Sequence, residues 1–234
     1  ALYYNRDLLD KAGIAQPPKT WDEFQTDVKK LTKIDKVNNK IRQAGAALGT
    51  GINVPGSDDL LYILFSQSNV PFVSADGQVL FNSTAKTSQD DVEPAAMKIV
   101  NFYSDFANPS RDTYTWNESM ENALDSFVNG TTAFFFGYSY HYALIQQRSP
   151  QLNFGAVPML QLNPEAPVNG ANYSVDSVIA KSKHQNEAWG VVLYLTHSDA
   201  TKKYLDASRR LTARLAYIDE QRDKAQLAPF IAQV

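Results

Sequence analysis

The sequence contains no cysteine, which excludes disulfide bonds, thiolate metal ligands and cysteine nucleophiles. It also lacks an excess of positive charge, since 22 Lys and Arg stand against 25 Asp and Glu and give a net charge of −3. A nucleic-acid-binding surface needs a basic stripe, so we expect no nucleic-acid partner. Apolar runs are too short to predict a membrane-spanning helix.

Motifs for metal binding and catalysis are missing as well. The histidines do not have metal-ligand spacing to one another or to nearby carboxylates, so we expect no metal and no cofactor. No Gly-x-Ser-x-Gly, Walker or Rossmann fingerprint occurs. The carboxylate pairs Asp58-Asp59 and Asp90-Asp91 are adjacent in sequence, and adjacent residues do not face each other on a helix. The sequence therefore favours a protein that is not an enzyme.

What the chain does contain is a globular composition with many aromatic residues. Its 234 residues suit one large domain or two small ones, with 44% hydrophobic and 20% charged residues. Twelve Tyr, twelve Phe and three Trp make up 12% of the chain, and several Tyr fall in polar loop contexts. Aromatic rings offer apolar area at little cost in rotamer entropy, which suits them to binding sites.

Predicted strands and helices alternate along the chain. Thr20 and Glu23 form a capping box ahead of a helix with apolar residues at helical spacing. Gly13 is expected to end the preceding helical turn in a left-handed conformation. The alternation predicts an α/β fold with a largely covered sheet. We predict strands at 1–5, 44–48, 72–81 (a hairpin), 131–136, 153–158 and 173–180, and helices at 7–12, 21–33, 60–68, 92–108, 118–129, 138–147, 186–196, 198–207 and 213–233.

Four segments, in order and in register, resemble the extracellular solute-binding proteins of ABC sugar importers, the maltose-binding-protein-like group. The first runs from Leu-Tyr-Tyr-Asn at residue 2 through Pro-Pro-Lys-Thr-Trp, which ends at Trp21. The second is the helix-to-strand step Phe-Val-Asn-Gly-Thr-Thr-Ala-Phe-Phe-Phe-Gly at 127–137. The third is Phe-Gly-Ala-Val-Pro at 154–158, and the fourth runs from Val-Ile-Ala-Lys-Ser-Lys at 178 to Leu-Tyr-Leu-Thr at 193–196.

The resemblance implies a type II periplasmic-binding-protein fold, in which two α/β lobes enclose the solute. Residues 1–168 would form mainly the second lobe, residues 169–208 would return to the first lobe, and residues 209–234 would run back toward the second. In that family the opening signature lies well inside the polypeptide, so we expect most of the first lobe to be absent. We therefore expect little sugar affinity for residues 1–234 alone.

The resemblance also implies a function. The protein would capture an oligosaccharide or other polar small molecule in the cleft between the lobes and deliver it to the permease subunits of an ABC transporter. It would act as a monomer outside the cytoplasm, either in the periplasm or as a cell-surface lipoprotein. Two other classes stay open: a lobe used as a structural or interaction module without ligand, and a glycan-processing enzyme, which would need converging carboxylates.

A sugar site needs flat aromatic faces and polar groups that orient hydroxyls, and open α/β sheets place such groups at the carboxyl ends of their strands. Three loops fit this description: 50–55 after a strand, 114–117 before a helix, and 137–142 after a buried strand. A fourth candidate, the pair Asn172-Tyr173, lies on the strand that would cross to the first lobe. The candidate ligand-binding residues are Asn53, Thr50, Trp116, Tyr114, Tyr138, Tyr140 and Tyr173.

Each candidate also has a structural interpretation. The loop at 50–55 could be a plain Gly/Pro turn, and Trp116 could pack on its own helix as a hydrophobic staple. If 138–147 is helical, Tyr138 and Tyr142 share one face and Tyr140 lies elsewhere. We expect one of these three tyrosines to pack in the core. Trp21 and Trp189 lie on apolar helix faces and are predicted to be core residues.

Overall fold

A five-stranded mixed sheet forms the centre of the fold in a computed structural model, which describes residues 1–81, 93–173, 175–208 and 210–233. The strand order is β2-β3-β4-β1-β5. The pair β3–β4 is parallel, and the pairs β2–β3, β1–β4 and β1–β5 are antiparallel. The predicted α/β class is therefore confirmed. The strands are β1 (Leu2–Asn5), β2 (Lys33–Ile34), β3 (Ile41–Ala46), β4 (Thr132–Phe136) and β5 (Phe154–Val157).

Helices surround this sheet, and the longest described helix has twelve residues. No helix among the described residues is long and apolar enough to cross a membrane. The helices are α1 (Arg6–Lys11), α2 (Trp21–Leu31), α3 (Ser57–Gln67), α4 (Ala95–Asp105), α5 (Ala123–Val128), α6 (Ser139–Arg148), α7 (Gln185–Thr196), α8 (Ser198–Ser208), α9 (Ile218–Arg222) and α10 (Ala228–Ile231), with a 3₁₀ turn at Leu215–Tyr217.

Helix α2 shows how sequence leads to packing. The Thr20 hydroxyl accepts the Glu23 amide and the Glu23 carboxylate accepts the Thr20 amide, which is the predicted capping box. The apolar face of α2 then packs on the sheet, where the Trp21 ring stacks on Phe136 at 5.5 Å between centroids. Gly45 on β3 permits this approach, because a Cβ there would lie 2.5 Å from the backbone oxygen of Val28.

Four element predictions differ from the structure. The helix predicted at 118–129 begins only at Ala123, because Asn122 caps it by accepting the Leu124 amide, while the Asn117 side chain accepts from Ser119 in a turn. The hairpin at 72–81 is reduced to the single bridge Val73–Val79. The predicted C-terminal helix is divided into the short elements at 215–217, 218–222 and 228–231.

The fourth difference concerns the segment 173–180, which was predicted as a strand and contains no strand among its described residues. A strand needs a neighbouring strand to satisfy its backbone groups, and no described segment pairs with this one. Tyr173, Val175 and Ile179 are exposed. The predicted start of the helix at 92–108 and the pair Asp90-Asp91 lie outside the described residues.

Helix α7 carries a large exposed apolar surface. None of its described side chains is buried, although the helix is mainly apolar. Trp189, predicted as a core residue, is 48% exposed, whereas Trp21 is buried as predicted. A helix that is apolar on all sides normally lies within a protein interior. The exposed apolar residues of α7 are Trp189, Val191, Leu193, Tyr194 and Leu195.

An amide cluster formed by Gln67, Gln161 and Asn169 fixes the segment that follows β5. The Gln67 side-chain amide donates to the backbone oxygens of Leu160 at 2.7 Å and Val168 at 3.1 Å. The Gln161 amide donates to Asn169 Oδ1 at 3.0 Å, and Gln161 Oε1 accepts the Val168 amide at 2.8 Å. Both ends of the polar loop 161–170 are thereby tied to the sheet domain.

Candidate functional site

A cavity of about 360 Å³ lies at one end of the central sheet. The segments after β3, β4 and β5 border it, and the first residue of β1 pairs with the last residues of β4 and β5, which places all four strands at this edge. Open α/β sheets bind ligands at the carboxyl ends of their strands. Residues that line the cavity include Gly56, Asp59, Tyr62, Gly137, Tyr138 and Asn172.

The predicted tyrosines Tyr138 and Tyr140 come together at this edge. Their rings are stacked, with centroids 5.6 Å apart and planes 12° apart. Tyr138 precedes α6 and is half-buried, whereas Tyr140 lies in its first turn and is 55% exposed. The expectation that Tyr138 shares a face with Tyr142 is wrong, because Tyr142 packs on Phe154 at 4.9 Å. The pair Tyr138–Tyr140 thus offers an accessible aromatic surface beside the cavity.

Asp59 on α3 is the hydrogen-bond partner of Tyr138. The Tyr138 hydroxyl donates to Asp59 Oδ2, and the Asn172 side-chain amide donates to the same oxygen at 3.5 Å. Burial, followed by the hydrogen bond to Asp59, raises the pKa of Tyr138 well above its ordinary value, so the phenol keeps its proton. Gly56 lies against this hydroxyl, since a Cβ at Gly56 would be 2.8 Å from it.

His141 holds Tyr138 from the other side. Its Nδ1 accepts the Tyr138 backbone amide at 2.9 Å, and its ring meets Phe135 edge-on at 5.2 Å. Burial lowers the pKa of His141 to about 4, so the imidazole is neutral at pH 7 and can accept this hydrogen bond. The Tyr3 hydroxyl donates to the Tyr138 backbone oxygen at 2.7 Å. These contacts fix the backbone at the start of α6.

Asn53, Thr50 and Trp116 form a buried network away from the cavity. The Trp116 indole N–H donates to Asn53 Oδ1 at 3.1 Å, and the Thr50 hydroxyl donates to the same oxygen at 2.5 Å. The Asn53 amide donates to the backbone oxygens of Asn117 and Met120, each at 3.0 Å. Trp116 is 0% exposed, so no ring face is accessible to a solute in this structure. The network joins the loop after β3 to the segment before α5.

Tyr114 and Tyr173 occupy different positions. The Tyr114 hydroxyl accepts from the Asn117 side chain at 2.9 Å, and its ring is partly buried beside the network just described. Tyr173 is 78% exposed and follows Asn172, which lines the cavity. Of the predicted candidates, Tyr138, Tyr140 and Tyr173 therefore lie in or next to residues of the cavity region.

Sequence reasoning missed Asp59 as a cavity residue, whereas Asn172 belongs to the predicted candidate pair Asn172-Tyr173 and lines the cavity. Asp59 lies in the first turn of α3, where the helix dipole alone accounts for a carboxylate, and its distance from Tyr138 in sequence gives no signal of their pairing. The part of the chain that the structure describes contains no group of three or more His, Asp or Glu residues that could hold a metal ion. Among the described lining residues, Asp59 carries the sole carboxylate, so the cavity holds no carboxylate pair.

The fold and this cavity describe an α/β domain with an aromatic pocket at the edge of its sheet. The chain belongs to the family of bacterial extracellular solute-binding proteins, whose sequence profile matches residues 1–202. It is 27% identical over 241 residues to a protein of Deinococcus radiodurans named probable ABC transporter-binding protein, covering 100% of this chain and 53% of that protein. It is also 27% identical over 222 residues to the multiple sugar-binding protein of Streptococcus mutans, covering 88% of this chain and 47% of that protein.

Solved structures share the fold. An ABC transporter solute-binding protein of Thermotoga lettingae, solved with α-D-tagatose bound, matches with a TM-score of 0.66 at 19% identity. The match covers 98% of this chain and 56% of that protein. The predicted periplasmic-binding-protein-like fold is therefore confirmed. The chain spans about half the length of the curated relatives it matches.

Proposed function

We propose that this chain is one part of a two-lobed protein that captures an oligosaccharide or another polar solute and delivers it to the permease of an ABC importer. The observation that carries the proposal is the stacked pair Tyr138–Tyr140 beside a cavity at the carboxyl ends of three strands. Sugar rings present flat C–H faces to aromatic rings and hydroxyls to polar groups. The protein would be a monomer with no catalytic activity, located outside the cytoplasm as a periplasmic protein or a lipoprotein.

We further propose how the chain divides between the two lobes. Residues 1–168 would be mainly the second lobe, 169–208 would belong to the first, and 209–234 would run back to the second. The exposed apolar surface of α7 favours this division, because an apolar helix surface is normally buried and the first lobe would bury it. A solute bound between the lobes would stabilise the closed form by contacting both.

Isothermal titration calorimetry on the full-length protein tests the proposal. The sugars to titrate are D-tagatose, D-glucose, mannobiose and maltose. We expect at least one to bind, and Tyr140→Ala to weaken its binding about tenfold, because a stacking face is lost. Tyr204→Ala is the matched control, since Tyr204 on α8 is also 55% exposed. Failure of all four sugars to bind would contradict the sugar proposal, and unchanged binding by Tyr140→Ala would contradict the stacking role.

A further inference from the structure

The described side chains that line the cavity include one negative charge and no positive charge. Asp59 carries the one charged side chain among the described residues that line it. No described Lys or Arg lies within hydrogen-bonding or ion-pairing distance of Asp59. The described lining residues therefore give the cavity a net negative charge.

The polar atoms of the cavity that remain free to bind a ligand are mainly hydrogen-bond acceptors. The Tyr138 proton is already donated to Asp59 Oδ2, so its hydroxyl oxygen can only accept from a ligand. Asp59 Oδ1 has no described donor and can accept as well. The Asn172 amide also points to Asp59 Oδ2. A ligand that satisfies these groups must bring hydrogen-bond donors.

We propose that Asp59 is a specificity-determining residue, which makes the cavity select uncharged, hydroxyl-rich solutes and reject their anionic counterparts. This inference rests on the proposed function and narrows its solute class. A hydroxyl donates to Asp59 Oδ1 in a charge-assisted hydrogen bond. A carboxylate or phosphate on the solute would instead meet the Asp59 charge at close range, with no cationic side chain among the described lining residues to offset it.

The substitution Asp59→Asn isolates this effect. It keeps the size of the side chain and an oxygen that can accept from Tyr138, while it removes the charge and turns the second acceptor into a donor. Asp58→Asn is the matched control, because Asp58 lies in the same helical turn with its side chain exposed and does not line the cavity. Both changes remove one negative charge from the start of α3.

The experiment measures dissociation constants of the full-length protein for D-glucose, D-tagatose, mannobiose and maltose, and for D-glucuronate, D-galacturonate and D-mannuronate. We expect the wild-type protein to bind its preferred neutral sugar at least 100-fold more tightly than any uronate. Asp59→Asn should reduce this preference at least tenfold, mainly by weakening neutral-sugar binding, since hydrogen bonds to charged groups are the stronger ones. Asp58→Asn should change the preference less than twofold.

The possible failures are distinct. If a neutral sugar binds and Asp59→Asn leaves the preference unchanged, the role of Asp59 is wrong and the proposed function stands. If the wild-type protein binds a uronate as tightly as the neutral sugars, the inference is wrong without reference to any variant. If nothing in the panel binds, the proposal that the solute is a sugar is wrong and the inference falls with it.

Discussion

At the scale of single residues, His141 makes the stability of the protein depend on pH. Burial lowers its pKa to about 4 in the folded protein, compared with an ordinary value of 6.5. The unfolded chain therefore takes up a proton below pH 6.5 that the folded protein does not bind until about pH 4. Stability from this residue is complete above pH 6.5 and is lost as the pH falls to 4, by at most about 3 kcal/mol.

Urea denaturation at pH 7 and pH 4.5 checks this expectation. The wild-type protein should lose more stability over this interval than His141→Gln, which keeps an acceptor for the Tyr138 amide but does not titrate. Comparing the two proteins removes the contribution of the other titrating groups. Equal losses in both would contradict the assigned role of His141.

The residue scale also shows where sequence reasoning stops. An indole before a helix could be predicted to do one of two things, namely to stack on a solute or to pack on its own chain. Trp116 packs inside the protein, where its indole N–H donates to Asn53 Oδ1. Asp59 and Tyr138 are 79 positions apart in sequence, and their pairing depends on how α3 lies against the end of β4. A contact between residues so far apart cannot be predicted from local sequence patterns.

At the scale of elements, the close packing of α2 on β3 depends on Gly45. We expect Gly45→Ala to lower the free energy of unfolding by about 1–3 kcal/mol, because the new Cβ would meet the backbone of Val28 and the helix would have to shift. Gly51→Ala is the control, since its Cβ would have one neighbour, at 3.9 Å, and should change stability by less than about 0.5 kcal/mol.

Denaturant unfolding followed by circular dichroism measures both variants. A Gly45→Ala protein as stable as the wild type would mean that α2 and β3 are not packed this closely.

Elements that depend on local signals were predicted well. The capping box at Thr20 begins α2 at Trp21, and the left-handed Gly13 follows α1, with φ of 70°. The two-residue strand β2 was not predicted, because it forms only by pairing with β3. The apolar pattern at 173–180 predicted a strand, but that pattern needs a partner strand, and the described residues contain none for it.

At the scale of the whole molecule, the proposed lobe division makes a prediction about Trp189. In the full-length protein we expect the covering lobe to bury this indole, which is 48% exposed here. Its emission, obtained as the difference between the wild type and Trp189→Phe, should be blue-shifted and protected from acrylamide. The Trp21 and Trp116 rings are buried in both proteins and cancel in the difference. Quenching as fast as that of N-acetyltryptophanamide would contradict the covering of α7.

The amide cluster would have a mechanical consequence in the proposed two-lobed protein. Because Gln161 and Gln67 hold the chain as far as Val168 and Asn169, we expect the backbone there to stay fixed while the lobes move. We expect rotation to start beyond Gly170, which itself lies against Ile63. Asn172 would then be the first polar residue of the moving segment after Gly170. Its 3.5 Å contact with Asp59 would be the first to lengthen as the two lobes separate.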